Sequence, residues 1–170
     1  TVPLKNRYGV NTATPIYGAG CVFYVTPYAE NGRLYRLRAN ASGVTAERVW
    51  TSLLDTVTGS GVLLDGTLYA AGYRRSKWWF GVDWETGRNV RELKDLTTGA
   101  AISADGRLYV FDESGTVGLV KPQRNGLELA GRFRLLTERR RDAWAHPVLL
   151  DGRLYLRYHD TLWCYDVKDG

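Results

Sequence analysis

The sequence predicts an all-β protein built from about four repeated units, each with four antiparallel strands. One observation is a hairpin phrase that recurs along the chain, with a turn glycine at Gly20, Gly66, Gly106 and Gly152. The intervals between these glycines are 46, 40 and 46 residues, a period typical of propeller blades. A second observation is the composition, with 11 Tyr and 6 Trp, residues that favour strands. The predicted fold class is therefore a β-propeller with four-stranded antiparallel blades.

The second unit shows how each strand is predicted. It begins with a short apolar run, Val-Leu-Leu, which suits an inner strand. Asp65-Gly66 follows, and this dipeptide favours the positive φ angles that a two-residue hairpin turn requires. The next segments alternate between strand-forming runs and turn residues, and the last run is the most polar, as an outer strand should be. The predicted strands of this unit are residues 62–64, 67–71, 78–83 and 89–93.

The repeat also sets the predicted domain organisation, a single propeller region over residues 1–170. Its blades are predicted at residues 10–50, 51–93, 94–136 and 137–170. The last blade supplies three strands, and residues 1–9 are predicted to be the outer strand of another blade. Four blades are at the lower limit for ring closure. The arrangements that remain open are a four-bladed ring, half of a larger ring, or a protomer that closes by association.

Aromatic residues after the turn glycines are predicted to fill the space between blades. Tyr69, Tyr109 and Tyr155 occupy the same position in three units. An isolated blade exposes both faces of its sheet, so neighbouring blades must stack to cover them. An open set of blades leaves two faces uncovered, and a large apolar patch rarely stays exposed. We therefore expect self-association through the uncovered blade faces.

The charge distribution restricts the class of partner. The chain carries 23 basic and 18 acidic residues, for a net charge of +5. The repeat spreads the basic residues, whereas a nucleic-acid reader gathers them on one face among aromatics, so we expect no nucleic-acid partner. One dense run, Arg139, Arg140 and Arg141, is either a solvated surface or a patch for an anionic partner. No apolar run is long enough to span a membrane.

Cysteine and histidine usage gives no sign of a metal site. Cys21 and Cys164 lie far apart, each in a strand-like run, and are predicted to be buried free thiols, although a disulfide is compatible with the sequence. The two imidazoles, His146 and His159, are too few for a metal centre. The aspartates before the turn glycines are explained by turn chemistry. We predict no catalytic residue and no metal ligand.

The loops that lead into the inner strands are the predicted binding region. In a propeller such loops surround one mouth of the central channel, where ligands usually bind. There, Trp144 and His146 could stack on and hydrogen-bond a sugar or another polar ligand. The competing interpretation is that Trp144 packs between blades and His146 caps a strand. The predicted ligand-binding residues are Asn11, Thr14, Thr58, Thr98, Trp144 and His146.

Several stretches resemble the pyrroloquinoline-quinone-like (PQQ-like) propeller repeat. They are Asp-Gly-Arg-Leu-Tyr at residues 105–109 and 151–155, and Val-Asp-Trp-Glu-Thr-Gly at residues 82–87. The closing stretch from Trp144 to Trp163 resembles the C-terminal blade of bacterial PQQ-binding-like members. These include relatives of the lipoprotein that assists outer-membrane barrel assembly. The resemblance implies a ring of seven or eight blades, of which this chain would be the C-terminal part of a longer protein. It also implies a periplasmic or extracellular location.

The resemblance leaves three functions open. One is a non-catalytic exported platform that binds or assembles a protein partner or a small polar ligand. The others are a quinone-dependent dehydrogenase with an active site partly outside this chain, and a polysaccharide-binding propeller. The family's dehydrogenases carry adjacent cysteines on the quinone and a Glu, an Asn and an Asp around calcium. Neither set is visible here, so we expect neither PQQ nor calcium as a cofactor.

The family's blade-locking motif is present in part. The motif is Ala-x-Asp-x-x-x-Gly-x-x-x-Trp, and the second unit offers Asp83 and Gly87 at this spacing, with Val82 directly before Asp83. Arg91 stands where the motif has a tryptophan. The structural part of the family pattern is thus more visible than the redox part.

Overall fold

The computed structural model describes residues 2, 6, 8–9, 11–27 and 31–168. In this part of the chain, fifteen strands form four sheets, which we call units 1 to 4 in chain order. No helix among these residues is long and apolar enough to cross a membrane. Units 1 and 2 contain β1 (Ile16–Gly18), β2 (Cys21–Thr26), β3 (Asn31–Asn40), β4 (Gly43–Ser52), β5 (Val62–Leu64), β6 (Thr67–Ala71), β7 (Trp79–Asp83) and β8 (Asn89–Leu93). Units 3 and 4 contain β9 (Gly99–Ala104), β10 (Arg107–Asp112), β11 (Thr116–Gln123), β12 (Gly126–Arg134), β13 (Val148–Leu150), β14 (Arg153–Tyr158) and β15 (Thr161–Asp166).

Each unit is a meander in which a strand pairs antiparallel with the one before it. The orders β1-β2-β3-β4, β5-β6-β7-β8 and β9-β10-β11-β12 are those of four-stranded blades, and unit 4 has the order β13-β14-β15 within the described residues. The inner strands follow one another, because β1 contacts β5, β5 contacts β9 and β9 contacts β13. The predicted all-β, propeller-type fold is confirmed. The outer strand predicted at residues 1–9 lies largely outside the described residues.

The hairpin turns have the geometry that the sequence predicts. Asp65, Asp105 and Asp151 have φ angles of 47°, 49° and 51°, and the glycine after each has a φ of 70° to 72°. Two successive residues with positive φ form the turn whose twist matches that of the flanking strands. His159 also lies in a turn, with a φ of 52°. Ala19 takes the corresponding place in unit 1 with a φ of 48°, without the polar side chain that eases this conformation.

The hydrophobic core consists of three clusters, and each lies between two successive units. Leu68 and Ala70 of β6 pack toward unit 1. Tyr69 and Ala71 alternate with them along the same strand and pack toward unit 3. This alternation follows from the two-residue period of a strand. Each sheet is therefore stabilised mainly by the sheets on either side of it.

Burial in unit 4 differs from the prediction. Tyr69 and Tyr109 fill the space between units as predicted, with exposed fractions of 2% and 9%. Tyr155, at the same position of unit 4, is only half-buried. Cys21 is a buried free thiol, but Cys164 is an exposed one, so the prediction of two buried thiols is wrong for Cys164. The reason is positional, because Tyr155 and Cys164 share the side of the sheet that faces away from unit 3.

Trp50 connects units 1 and 2. Its indole Nε1 donates a hydrogen bond to the carbonyl oxygen of Trp84, at 2.9 Å. Its ring lies against Gly87, where an added Cβ would be 2.6 Å from Cδ2 of Trp50. In unit 2, Arg91 stands in the place of the motif's tryptophan, and its Nε donates to the carbonyl oxygen of Gln123 in unit 3, at 2.8 Å. Both side chains therefore bond the backbone of the following unit.

Candidate functional site

The loops that precede the inner strands are joined to one another, and we call the surface that they form the mouth. Thr12 Oγ1 donates a hydrogen bond to the carbonyl oxygen of Val57, at 2.8 Å. The backbone N–H of Thr14 donates to Oγ of Ser60, also at 2.8 Å. Ser60 is 4% exposed, so the acceptor of this bond is buried although Thr14 is exposed. The loops of units 1 and 2 are thus held as one piece.

The loops of units 2 and 3 meet through their backbones. A Cβ on Gly59 would collide with the carbonyl oxygen of Gly99, so this close approach requires glycine. Next to it, the carbonyl oxygen of Thr98 accepts a hydrogen bond from the Glu113 backbone N–H, at 2.8 Å. Thr98 is buried beneath the mouth surface, whereas Asn11 lies on that surface.

His146 connects unit 4 to unit 2. Its Nε2 lies 2.8 Å from the carbonyl oxygen of Thr58. Because a carbonyl oxygen can only accept, the Nε2 atom carries the proton of this hydrogen bond. His146 is exposed and Thr58 is half-buried. The structure therefore brings together two predicted mouth residues that are 88 positions apart in the chain.

Trp144 lies on the mouth with 53% of its surface exposed, rather than in a core between blades. Its Nε1 donates a hydrogen bond to Oε1 of Glu113, at 2.8 Å. Burial of the Glu113 side chain raises the pKa of this carboxyl group, and the bond from Trp144 opposes the shift. Arg139 Nη1 donates to the carbonyl oxygen of Glu113 at 2.8 Å and to Oδ1 of Asp142 at 2.9 Å. An exposed indole and an exposed guanidinium are thus held beside one buried acid.

The rest of the arginine run is anchored by its backbone. The N–H groups of Arg140 and Arg141 both donate to the hydroxyl oxygen of Tyr158, at 2.9 and 2.8 Å. That hydroxyl in turn donates to the carbonyl oxygen of Arg141, at 2.9 Å. The side chains of both arginines are exposed. The loop is therefore fixed in shape while its cationic groups face solvent.

The described residues do not fit the calcium and quinone arrangement of the family's dehydrogenases. Among them, no group of three or more His, Cys, Asp or Glu residues could hold a metal ion. Cys21 is buried in β2 of unit 1, and Cys164 is exposed on β15 of unit 4, so they form no adjacent pair. The groups at the mouth can hydrogen-bond a ligand, stack against it and attract a negative charge.

Two residues that hold the mouth together have little signal in the sequence. Glu113 belongs to the phrase Asp-Glu-Ser-Gly, which turn chemistry explains without a further role. Its position directly after β10, at the same end of the sheet as the loops before the inner strands, is the one indication in the sequence of a role at the mouth. Tyr158 has none, because it bonds a loop 17 and 18 residues earlier in the chain.

The comparisons with known proteins bear on the fold. No family model and no curated protein matches the chain. Among solved structures, the chain is similar to BamB from Moraxella catarrhalis, with 15% sequence identity and a TM-score of 0.65. The match covers 89% of this chain and 41% of that chain, so this chain spans less than half the length of BamB. At this identity the similarity concerns the fold alone, and the fold it shows is of the propeller type.

Proposed function

We propose that the chain is a non-catalytic binding or assembly platform whose mouth binds an acidic segment of a partner protein. The observation that carries the proposal is the exposed Trp144 indole, fixed by the buried Glu113 and flanked by Arg139. Tryptophan and arginine are the residues that most often dominate the binding energy of protein interfaces. Side chains that are already fixed lose less conformational freedom when a partner binds.

The charge of the mouth supports an acidic partner. Asp142 pairs with Arg139, and Glu138 directly precedes the run, but the exposed side chains of Arg140 and Arg141 add positive charge to the same loop as Trp144. The whole chain also has a net charge of +5. Such a surface accelerates the encounter with an acidic segment, and salt screens the attraction.

A periplasmic location belongs to the same proposal. It is supported by the resemblance to exported bacterial propellers and by the fold that the chain shares with BamB. The assembly role has the same support. The location and the assembly role are inferred from similarity to other propeller proteins, whereas the binding surface is inferred from the geometry of the mouth.

A photo-crosslinking amino acid at position 140 tests the mouth directly and leaves Trp144 and Arg139 in place. We expect this variant to form one discrete adduct with a partner in bacterial cells, and Arg139→Ala or added salt to reduce its yield. The matched control carries the same group at Val90, which is 48% exposed on the outer strand β8, away from the mouth loops. Equal adducts at positions 140 and 90, or none at 140, would contradict the proposal.

A second candidate is a polysaccharide-binding propeller, favoured by the exposed indole of Trp144, a surface on which a sugar ring can stack. Binding of a neutral glycan would depend on Trp144 but neither on Arg139 nor on salt, which separates it from the first candidate. If Trp144→Ala binds a glycan panel as well as the parent does, this second function fails.

The proposed platform works without a redox cofactor. We expect that PQQ and calcium, added together, leave the melting temperature unchanged and give no dye-linked oxidation. A thermal shift that requires both additions would favour the dehydrogenase function instead.

A further inference from the structure

Units 2 and 3 form a cleft of about 630 Å³ at the outer edge of the mouth. Four cationic side chains line it, and we call it the cationic cleft. Lys77, from the loop between β6 and β7, and Lys94, directly after β8, belong to unit 2. Arg132 and Arg134 belong to β12, the outer strand of unit 3. All four side chains are exposed, so the cleft opens to solvent.

Acidic side chains balance only part of this charge. The carboxylates that line the cleft are those of Asp95 and Asp112, so four cations against two acids leave the lining with a net charge of +2. Asp112 is 2% exposed, and its carboxylate already accepts three hydrogen bonds from the surrounding chain. In the described part of the chain, no carboxylate forms an ion pair with Lys77, Arg132 or Arg134. The cleft therefore attracts anions.

Arg134 is held in position by uncharged groups. Its Nε donates a hydrogen bond to the carbonyl oxygen of Leu136, at 2.8 Å. Its Nη1 donates to the hydroxyl oxygens of Ser114 and Thr116, at 3.1 and 3.2 Å. The guanidinium is thus oriented while its charge stays unneutralised. A side chain that is already oriented loses less conformational freedom when an anion binds.

Other donors of the cleft remain available to a ligand. Arg132 makes no hydrogen bond or ion pair with any residue that the structure describes. The Nζ atom of Lys94 lies 3.8 Å from Glu92, a solvent-exposed pair of the kind that contributes little. The backbone N–H and carbonyl of Thr97 are hydrogen-bonded, but its hydroxyl has no partner within residues 31–168. A bound anion can therefore receive hydrogen bonds from both units.

The positive charge belongs to this pair of units and not to the repeat. Arg132 pairs with Gly118 in unit 3, and the matching pair in unit 2 is Glu92 with Phe80. The repeat thus accepts an acid at the position of Arg132. A second cleft, of about 390 Å³ between units 1 and 2, is also different, because the charged residues among those that line it are one cation and one acid, Arg75 and Asp55.

The cationic cleft adjoins the site of Trp144 but uses different side chains. Arg134 bonds the hydroxyl of Ser114, whereas Trp144 and Arg139 bond Glu113, the preceding residue. A ligand in the cleft would contact the outer strand β12 and the chain after β8, and not the indole. An inference about the cleft therefore does not rest on the proposed function of the mouth.

We propose that the cationic cleft binds a small molecule through a phosphate group. A phosphate monoester carries about −1.5 to −2 charges on three acceptor oxygens at neutral pH, which matches the net charge of the lining. A single carboxylate would neutralise half of it. The planar guanidinium groups of Arg132 and Arg134 suit the oxygens of a phosphate. The volume of the cleft lies in the range of small-molecule sites, so an organic part of the ligand has room as well.

Calorimetric titration of the purified chain tests the proposal with glucose 6-phosphate, inorganic phosphate, glucose and succinate at one ionic strength. We expect one phosphate-bearing probe to bind per chain and glucose not to bind. Tighter binding of glucose 6-phosphate identifies an organic phosphate as the ligand, and tighter binding of inorganic phosphate identifies the free ion. If neither binds at a single site, or if succinate binds as tightly, the proposal is wrong.

Variants of the lining locate the site. Arg132→Gln should weaken phosphate binding by about 10- to 100-fold, the usual effect of losing a hydrogen bond to a charged group, and the fold should not change because Arg132 bonds no described residue. Thr97→Val should weaken binding without a change in charge. Arg48→Gln, at an exposed position of β4 in unit 1, is the matched control and should bind as the parent does. Equal losses in Arg48→Gln and Arg132→Gln would show that only the net charge matters and would overturn the proposal.

Thermal melting provides an independent measurement. Phosphate should raise the melting temperature of the parent more than sodium chloride does at the same ionic strength, because a ligand that binds the folded chain stabilises it. Arg132→Gln should lose this difference, and circular dichroism checks that the variant is folded. Equal effects of the two salts in the parent would mean that ions only screen the repulsion between the cations, which contradicts a phosphate site.

Photo-crosslinking at position 140 separates the cleft from the mouth. Arg132→Gln should leave the yield of the partner adduct unchanged while it removes phosphate binding. If the chain binds no phosphate and Arg132→Gln reduces the adduct, the cleft belongs to the surface for the protein partner, and the small-molecule proposal is overturned. If phosphate binds but no adduct forms, the proposed function of the mouth fails and the phosphate site stands.

Discussion

Single polar side chains fix the turns between strands, as Asp83 does at the end of β7. Its Oδ1 accepts hydrogen bonds from the backbone N–H and the hydroxyl of Thr86, at 2.8 and 2.6 Å. The hydroxyl bond, followed by the backbone bond, favours the charged form and lowers the pKa of Asp83 from 3.8. A carboxyl whose pKa is lowered by folding stabilises the folded state above its unfolded-state pKa. That stabilisation is lost as the pH falls through the folded-state pKa.

Asp83→Ala is expected to lower the free energy of unfolding by about 1 kcal/mol at neutral pH, the usual net value of such bonds near the surface. As the pH falls below 3.8, the difference in unfolding free energy between parent and variant should shrink, because the Asp83 carboxylate of the parent becomes protonated. Urea unfolding at neutral pH and below pH 3.8 measures the cost of the substitution under each condition. Asp160→Ala is the control, since the carboxylate of this exposed turn residue accepts only one long hydrogen bond within the described part of the chain, from the hydroxyl of its neighbour Thr161 at 3.4 Å. If the cost of Asp83→Ala in unfolding free energy does not change with pH, the charged form of Asp83 does not stabilise the turn.

For single residues, conformations set by the neighbouring residues in the chain could be predicted, but hydrogen bonds to residues distant in the chain could not. The aspartates at the turns could be assigned because Asp-Gly determines the conformation of its own two residues. Trp144 could be placed on a loop at the mouth, but its bond to Glu113 spans 31 positions and has no local signature. The exposure of Trp144 could not be predicted either, because it also depends on residues that are distant in the chain.

Between elements, the docking of an outer-strand side chain on the next unit should contribute strongly to stability. Trp50 is 9% exposed, bonds Trp84 and packs against Gly87. Trp50→Phe keeps most of the packing and loses the hydrogen bond, for an expected cost of about 1 kcal/mol. Trp50→Ala also leaves a cavity, for an expected cost of about 3–5 kcal/mol. Urea unfolding measures both variants.

The exposed Trp144 supplies the comparison for this prediction. Trp144→Ala removes the same kind of side chain from the surface together with its bond to Glu113, so its cost should be about 1 kcal/mol and well below that of Trp50→Ala. Equal costs for Trp50→Ala and Trp144→Ala would show that the docking contact between units 1 and 2 adds nothing to stability.

The strands could be predicted from their alternating pattern and turns, but the docking between them only in part. The motif of the second unit predicts a tryptophan where the chain has Arg91, and the sequence alone shows no replacement for it. The structure shows that the guanidinium reaches the backbone of Gln123 in the next unit. A long, multiply donating side chain can make the bond that an indole would make, and residue type alone does not reveal this.

For the whole molecule, burial should set the order in which the units open. The middle units are covered on both faces, and Leu68 and Phe111 are fully buried. Backbone amide hydrogen exchange is expected to be slowest in β6 and β10 and faster in β13 and β15. Equal protection of all four units would contradict this order.

The sequence could give the number and kind of units but not their surroundings. Tyr69, Tyr109 and Tyr155 are equivalent in pattern, and a two-residue period says which residues share a face. Whether a face is covered depends on the next sheet, which is why Tyr155 and Cys164 are open where burial was predicted. Periodicity specifies orientation, and the neighbour specifies burial.

The backbone contact between Gly59 and Gly99 has a consequence for the size of the ring. Blades are wedges, and the separation of their inner edges determines how far each is rotated from the last. A side chain at Gly59 would push the inner edges of units 2 and 3 apart. Arg91 of the outer strand β8 would still bond the end of β11 in unit 3. The wedge would become blunter, and more of them would be needed to complete a circle. The missing side chain of Gly59 thus sets the curvature between units 2 and 3, and with it the diameter of the ring.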